Sequence, residues 1–267
     1  MPQLSIGKNM RKILFITATH GNEQDGVKVM QQLENELPKD EYNYDWIIGN
    51  EKAYQKNIRY VDQDLNRSAP GDINSTIYEM RRSAELIKIA DAYDVVIDLH
   101  GTKTDSGIDT ITPYPTQDNL RLALAARLTR NVVWYSKQSE GGGPTVQHLR
   151  MPAIELECGP KDTQDAYNLT YATVRRIIEV NHSGDLYDVG TEDSEFFEVY
   201  DKLTGSHDPA LQDFVLSERD GDSFYPFLSG NEYPNVTCYK MRKVSAGDIQ
   251  LRPIKNRQVN ACRLRED

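Results

Sequence analysis

Short apolar runs alternate with amphipathic helical stretches from about residue 12 to residue 182, and this alternation limits the fold more than any other property of the sequence. The run Lys12–Ala18 is followed by Val27, Met30, Leu33 and Leu37 at helical spacing. The other strand-like runs are Asp45–Ile48, Val95–Leu99, Asp109–Ile111, Val132–Tyr135 and Ala153–Cys158. Strands that alternate with helices form a mostly parallel sheet with helices on both faces. The pattern therefore predicts an α/β fold.

The pattern changes after the segment 181–184, where helical spacing gives way to short β-prone runs separated by turn residues. These runs are Phe196–Tyr200, Phe214–Leu216, Val236–Tyr239 and Ile249–Leu251. Such runs are typical of a small β-rich unit. We therefore predict two domains, an α/β domain over residues 1–190 and a small β-rich domain over residues 191–267.

A helix start is indicated by Thr76 and Glu79, which have the spacing of a capping box. In such a box the two side chains bond the first free backbone N–H groups of the helix. The pair follows a polar stretch from Gly49 to Asn74 and precedes a helical pattern that extends to Ala90.

Charge and cysteine content narrow the class of protein. The 267 residues include 31 Lys and Arg against 41 Asp and Glu, a formal net charge of -10. A nucleic-acid-binding surface needs clustered cations, so we expect no nucleic acid partner. No apolar stretch is long enough to span a membrane, and the three dispersed cysteines suit a reducing compartment. We therefore expect a cytoplasmic protein with no membrane partner, and the sequence leaves a homo-oligomer open.

Candidate metal ligands follow two of the predicted strands. His20 and Glu23 lie in His-Gly-Asn-Glu directly after the first strand, and His100 follows the strand Val95–Leu99. Ligands of α/β sheets bind beyond the carboxyl ends of the strands. Imidazole and carboxylate suit zinc, and a catalytic zinc site uses three protein ligands. An isolated HxxE pattern is common on surfaces, but its coincidence with His100 predicts one zinc ion.

Two further segments carry groups that a hydrolytic site needs. The loop Arg59–Arg67 contains two Arg, two Asp and an Asn, which suits a carboxylate-binding site or, alternatively, a solvated charged loop. Glu155 and Glu157 share one face of an apolar strand, with Glu157 as the candidate general base. The alternative is an edge strand whose glutamates face solvent. Asp64 and Asp98 are candidate acceptors for the N–H groups of ligating histidines, and the alternative for Asp98 is that it caps or pairs elsewhere.

Four motifs occur in the order and spacing of a known family: His20–Glu23, Arg59–Arg67, Asp98–His100 and Glu157–Pro160. Over about residues 12 to 162 the chain resembles the aspartoacylase and succinylglutamate desuccinylase family, a branch of the zinc carboxypeptidase-like hydrolases. The resemblance implies a zinc carboxypeptidase-like α/β/α sandwich with a mostly parallel mixed sheet, and a small C-terminal β-rich domain that caps the active site. It also implies a zinc-dependent amidohydrolase, a deacylase whose small-molecule partner is an N-acyl amino acid.

The resemblance also implies roles for individual residues. The zinc ligands would be His20, Glu23 and His100. Glu157 would take a proton from water and return it to the leaving amine, while Arg59 would polarise the scissile carbonyl. Asn66 and Arg67 would anchor the substrate carboxylate.

Two more positions would complete the substrate site. Members of the family often carry an arginine upstream of the catalytic glutamate and a tyrosine from the C-terminal domain, and the corresponding candidates here are Arg150 and Tyr239. Two other functions stay open. One is a zinc carboxypeptidase that acts on peptides, and the other is a non-catalytic, zinc-binding regulatory protein.

Overall fold

Helices and strands alternate along the chain in a computed structural model that describes residues 10–135, 143–184, 186–188, 193–230 and 232–253. The helices are α1 (Asp25–Glu36), α2 (Lys39–Tyr42), α3 (Glu51–Lys56), α4 (Tyr78–Ala90), α5 (Gln117–Ala125) and α6 (Gln164–Ser183). The first six strands are β1 (Ile13–Thr17), β2 (Tyr44–Ile48), β3 (Val95–Gly101), β4 (Gly107–Thr112), β5 (Arg130–Val133) and β6 (Ala153–Gly159). The remaining strands are β7 (Glu195–Thr204), β8 (Ser217–Arg219), β9 (Asp222–Phe227) and β10 (Val236–Val244). None of the helices in these ranges is long and apolar enough to cross a membrane.

The strands form one mixed sheet in the order β2-β1-β3-β6-β4-β5-β7-β10-β9-β8. Strands β2, β1, β3 and β6 are mutually parallel, which confirms the predicted α/β class, whereas β4 runs antiparallel to β6. The chain moves from β1 to one side for β2 and then to the other side for β3. This reversal creates a switch point beside the end of β1, where open α/β sheets bind ligands.

The sheet is covered on both faces, because its strands are apolar on both sides. Alternate residues of β1 face opposite clusters, with Phe15 in one and Leu14 in the other. The first cluster packs α1, α5 and α6 against the sheet, and the second includes Ala90 at the end of α4. The near-complete burial of β1 and of the first part of β3 explains their apolar runs, which in β3 give way to the buried polar residues Asp98 and His100.

The C-terminal strands extend the same sheet, since β7 pairs parallel with β5 and then antiparallel with β10. The predicted boundary at residue 190 falls between α6 and β7, and the division into two domains remains a prediction. Two predicted strands are wrong: Phe214–Leu216 forms a turn, and Ile249–Leu251 follows a short 3-10 turn outside any strand. Phe214 has a φ of 63°, which a strand does not allow.

The predicted capping box at Thr76 and Glu79 is also wrong. Helix α4 begins at Tyr78, and its N-cap residue Ile77 makes no side-chain cap hydrogen bond. The N–H of Tyr78 instead donates to Asp62 Oδ2 at 2.8 Å. The helix is therefore capped from the polar loop that precedes it, and the Glu79 carboxylate is free for other contacts.

Candidate active site

The turn after β1 carries His20 and Glu23 to the switch point of the sheet. The N–H of Glu23 donates to the carbonyl of His20 at 3.0 Å, which closes the turn. Gly21 packs against α3 so closely that a Cβ there would lie 2.1 Å from the carbonyl carbon of Ala53. Only glycine lets the backbone approach at this point, so it fixes the direction of both side chains.

His20, Glu23 and His100 converge as the sequence predicts. Glu23 Oε1 lies 2.8 Å from His20 Nδ1, and Glu23 Oε2 lies 3.2 Å from His100 Nδ1. All three residues are buried, and one potential ligand atom from each lies within 4.8 Å of the others. Burial acts to raise the pKa of Glu23, but His20 and His100 outweigh burial and hold that pKa well below its ordinary value. The carboxylate is therefore ionised, as a metal ligand must be.

The second nitrogen of each imidazole faces an aspartate. His20 Nε2 lies 3.1 Å from Asp64 Oδ1, and His100 Nε2 lies 3.2 Å from Asp98 Oδ2. Asp98 is held in turn by the hydroxyl of Thr19 at 2.9 Å. The His20–Asp64 contact is a hydrogen bond, as predicted for Asp64, whereas the His100–Asp98 contact lacks hydrogen-bond geometry, so Asp98 as an acceptor stays a prediction. With Nε2 held by Asp64, the His20 ring directs Nδ1 toward Glu23, which is the outer support that ligating histidines use.

This donor set fits a zinc ion. Two imidazoles and one carboxylate are typical zinc ligands, and three protein ligands leave a coordination position for water or substrate. In a second group, Asp98, His100 and Glu155, the potential ligand atoms also lie within 4.8 Å of one another. The first group is the better candidate because it contains two imidazoles, and because Asp98 already accepts the Thr19 hydroxyl.

Glu157 lies next to the cluster, on strand β6 opposite His100 of β3. Its Oε2 is buried and makes no hydrogen bond within the described part of the chain. Burial raises the pKa of Glu157 well above its ordinary value; His100 opposes this shift, and the nearby carboxylates of Glu23 and Glu155 add to it. A carboxyl with a raised pKa and a free oxygen can both accept and donate a proton.

The alternative of a solvent-facing edge strand is wrong for β6, which lies between β3 and β4. Glu155 and Glu157 alternate with Ile154 and Leu156, and the latter two belong to the apolar core on the other face. Burial raises the pKa of Glu155, although His100 and a hydrogen bond from Asn66 oppose the shift. Both glutamates therefore lie on the functional face of the sheet.

The loop Arg59–Arg67 brings its charged groups to the same place. Arg59 Nη2 donates to Asp64 Oδ2 at 3.1 Å, and Arg59 Nη1 lies 3.8 Å from Glu23 Oε1. Arg67 Nη1 donates to the backbone carbonyl of Asn66 at 2.8 Å. The loop is therefore ordered around the candidate metal-ligand cluster by these contacts, and it is not a freely solvated loop.

A cavity of about 500 Å³ opens beside these groups, and Asn66, Arg67 and Glu157 are among its lining residues. Trp134 and Tyr239 also line it, with their ring centroids 4.4 Å apart. The structure therefore brings the predicted Tyr239 to the site.

Arg150 is not brought there. Its Nη2 lies 3.1 Å from Asp91 Oδ1, and it is not among the described residues that line the cavity.

Tyr233 is a site residue that the sequence did not single out. Its ring lies 5.8 Å from the Arg59 guanidinium and 5.9 Å from the Tyr239 ring. Burial raises the pKa of Tyr233 to about 12, while the cations Arg67 and Arg59 oppose that shift. Tyr233 enters on the loop between β9 and β10, and no local pattern distinguishes it from the other 14 tyrosines among the 15 in the chain.

Fold and site together define a class: an α/β protein with a candidate metal centre beside a buried glutamate. The catalytic-domain model of the succinylglutamate desuccinylase/aspartoacylase family matches residues 9–179. The chain therefore belongs to the succinylglutamate desuccinylase/aspartoacylase family.

Two relatives illustrate the range of sequence similarity. An N-acyl-aromatic-L-amino acid amidohydrolase (carboxylate-forming) from Xenopus laevis is 28% identical over 250 residues, which cover 82% of this chain and 81% of the relative. A probable aspartoacylase from Prochlorococcus marinus is 35% identical over 109 residues, which cover 38% of this chain and 37% of the relative. The second match spans little more than a third of that relative's length.

Solved structures share the fold over most of the chain. Murine aminoacylase 3 aligns with a TM-score of 0.68 at 20% identity, covering 89% of this chain and 96% of that one. Succinylglutamate desuccinylase from Chromobacterium violaceum aligns with a TM-score of 0.68 at 14% identity, covering 90% and 86%. At these identities the likeness concerns the fold, and it confirms the expected carboxypeptidase-like architecture.

Proposed function

We propose that the chain is a zinc-dependent amidohydrolase that cleaves the amide bond of small N-acyl amino acids. The observation that carries the proposal is the buried, unpartnered Oε2 of Glu157 beside the His20–Glu23–His100 cluster. Burial of an ionisable oxygen without a hydrogen-bond partner lowers the stability of the fold, so such an oxygen points to a functional role. Membership of a family that contains deacylases supports the same reaction.

The chain's own groups suit each part of the hydrolysis. When bound, zinc supplies Lewis-acid activation of water and of the substrate carbonyl. Glu157 takes a proton from the attacking water, the oxygen of that water bonds to the amide carbon, and Arg59 donates hydrogen bonds to the oxygen that becomes negative. Glu157 then gives its proton to the leaving nitrogen as the C–N bond breaks. The products are a free amino acid and a carboxylate.

Arg67 and Asn66 would hold the α-carboxylate of the substrate. Both line the cavity beside Glu157, and Arg67 lies near Tyr233 and Tyr239 with its side chain open to solvent. A guanidinium in such a position can bind a carboxylate in a forked geometry. This anchor places the scissile amide within the cavity.

The aromatic wall formed by Trp134, Tyr233 and Tyr239 favours a substrate with a large apolar side group. Among the described residues that line the cavity, the cations are Arg67 and Lys202, both exposed, while Arg150 pairs with Asp91 elsewhere. With Arg67 bound to the α-carboxylate, Lys202 is the cation among these residues left for a second substrate carboxylate. The Xenopus relative, named for N-acyl-aromatic amino acids, supports the preference for a large apolar side group.

A substrate panel tests the proposal directly. The zinc-loaded protein should hydrolyse N-acetyl-phenylalanine, N-acetyl-tyrosine and N-acetyl-tryptophan faster than N-acetyl-aspartate and N-succinyl-glutamate. Preferred cleavage of C-terminal residues from longer peptides would favour a carboxypeptidase. Zinc binding without hydrolysis of any panel member would favour a non-catalytic, regulatory role.

A further inference from the structure

Glu79 is a buried carboxylate of helix α4 that takes no part in the proposed reaction. We propose that Glu79 is a positioning residue, whose carboxylate holds the loop Arg59–Arg67 in the shape that binds the substrate carboxylate. The inference rests on the proposed deacylase function. It assigns a role to the glutamate of a sequence pattern that the structure shows is not a helix cap.

The contacts of Glu79 are made almost entirely with the backbone of that loop. Its Oε1 accepts the N–H of Val61 at 2.7 Å, and its Oε2 accepts the N–H groups of Asp62 at 3.1 Å and Gln63 at 3.3 Å. A fourth bond comes from Asn50 Nδ2 to Oε1 at 3.1 Å. Glu79 is 0% exposed, so water does not compete for these bonds.

The loop also binds the first turn of helix α4. Asp62 Oδ2 accepts the N–H of Tyr78, the first residue of α4, at 2.8 Å. Helix and loop therefore satisfy each other's free donors, with Glu79 and Asp62 as the two acceptors. This reciprocal arrangement leaves the segment 61–63 little freedom to move relative to α4.

The segment 61–63, which Glu79 holds, precedes the residues of the loop that we assign to substrate binding. Asp64 follows it directly and accepts both the N–H of Asn66 at 2.9 Å and a bond from Arg59 at 3.1 Å. The same carboxylate lies 3.1 Å from His20 Nε2. A shift of the segment 61–63 would therefore move the carboxylate anchor at Asn66 and Arg67.

The geometry requires a carboxylate and not merely a side chain of that size. Each oxygen of Glu79 accepts two N–H groups. A glutamine would present an NH₂ group to two of those donors, because an amide has only one acceptor oxygen. Glu79→Gln should therefore remove two of the four hydrogen bonds while changing the volume of the side chain very little.

The test compares Glu79→Gln with Glu85→Gln, a matched change on the same helix. Glu85 has a side chain 45% exposed and pairs with Arg82, away from the loop. For each variant, kcat/KM is measured for an N-acyl amino acid and for its C-terminal primary amide, which lacks the carboxylate. The ratio of the two values does not depend on how much of the enzyme is folded.

We expect Glu79→Gln to lower the acid-to-amide ratio about tenfold, because hydrogen bonds to a charged group are lost from the loop that holds the anchor. Glu85→Gln should keep the wild-type ratio. Hydrogen exchange at the amides of Val61, Asp62 and Gln63 should also be faster in Glu79→Gln alone. If Glu79→Gln does not fold, Glu79→Asp, which keeps the charge but shortens the reach, should show the same changes.

Two failures can be told apart. An active wild type whose acid-to-amide ratio is unchanged by Glu79→Gln or Glu79→Asp overturns the positioning role and leaves the deacylase proposal intact. A zinc-loaded wild type that hydrolyses neither compound overturns the proposed function, and the positioning role with it.

Discussion

At the scale of single residues, both histidines of the candidate metal centre direct Nδ1 toward Glu23 and have an aspartate near Nε2. His100 presents Nδ1 to Glu23 at 3.2 Å and lies 3.2 Å from Asp98 through Nε2. An imidazole fixed on one side keeps its other nitrogen aimed at the metal with little loss of rotamer entropy on binding. The cluster should therefore bind zinc in the absence of substrate.

The first prediction concerns zinc content. His100→Ala should reduce bound zinc from one ion per chain to a small fraction, since it removes one of three ligands. The control is His182→Ala, a histidine at the end of α6 whose ring lies 4.5 Å from that of Tyr42. Elemental analysis after dialysis checks both variants. Equal zinc content in wild type and His100→Ala would contradict the assignment.

The convergence of these side chains could be predicted because strand ends are visible in a sequence. His20 and His100 each follow an apolar run, and parallel strands bring their carboxyl ends to one edge of the sheet. Tyr233 and Arg150 could not be placed in this way. Each lies in a loop or short 3-10 region, where the direction of a side chain depends on contacts made far along the chain.

Trp134 carries a prediction about substrate preference. Trp134→Ala removes the ring that packs on Tyr239, so kcat/KM for N-acetyl-phenylalanine should fall about tenfold while that for N-acetyl-alanine changes little. Trp46→Ala on β2, outside the cavity, is the matched control. An equal loss on both substrates in Trp134→Ala would mean that this wall does not select the side group.

At the scale of elements, the site depends on how the turn after β1 packs on helix α3. Gly21 allows this approach, whereas Gly247 has no atom within 4 Å of the position a Cβ would take. Gly21→Ala should therefore push the turn away from α3 and weaken zinc binding about tenfold or more, from an overpacking cost of about 1–3 kcal/mol. Chelator competition measures this, with Gly247→Ala as control. Wild-type zinc affinity in Gly21→Ala would show that the contact is not critical.

The elements of the α/β part were predictable because short apolar runs mark strands buried on both faces and helical spacing marks the helices that cover them. The run Phe214–Leu216 led to a wrong strand prediction, because Phe214 is apolar in order to fill an aromatic cluster and not because it lies in a strand. The Phe214 ring packs against Phe197 and Phe227, with centroids 5.0 and 5.7 Å away, while its backbone turns. Val215 and Leu216 are 51% and 61% exposed, so the run is apolar without being a buried strand. An apolar turn and a short strand give the same signal in the sequence.

At the scale of the whole molecule, a cluster formed by Asp109, Arg130 and Asp213 connects β4 and β5 with the loops that precede β8 and follow β9. Asp109 of β4 lies 2.7 Å from Arg130 Nε of β5, and the Arg130 guanidinium stacks 4.3 Å from the Phe214 ring. Asp213, next to Phe214, accepts the N–H groups of Leu228 at 2.8 Å and Ser229 at 2.9 Å. The loop that carries Tyr233 begins here, so the cluster ties the site wall to the central sheet.

This cluster predicts a pH dependence of stability. Burial raises the pKa of Asp109 from 3.8 to about 7, with Arg130 opposing and Asp213 adding to the shift. Between these values the folded state keeps a proton that the unfolded state releases, so this contribution to stability is present below about pH 4 and is lost as pH rises through about 7. Asp109→Asn does not titrate and should lose less stability over that range, by roughly 1 kcal/mol or more.

Urea unfolding at pH 4.5 and 7.5 measures the effect. Asp118→Asn, at a side chain 46% exposed on α5, is the control and should follow the wild type. Parallel pH profiles for wild type and Asp109→Asn would contradict a raised pKa of Asp109.

The most direct test of the proposed chemistry compares zinc-loaded wild type with Glu157→Gln on the same N-acyl aromatic amino acid, at equal measured zinc content. Glutamine keeps the size of the side chain but cannot accept a proton from water and pass it to the leaving nitrogen. We expect one zinc per chain in both proteins and a kcat lower by about a thousandfold in the variant, within the range that general acid–base catalysis contributes. A variant that binds zinc and retains near wild-type kcat would contradict the assignment of Glu157 as the proton carrier.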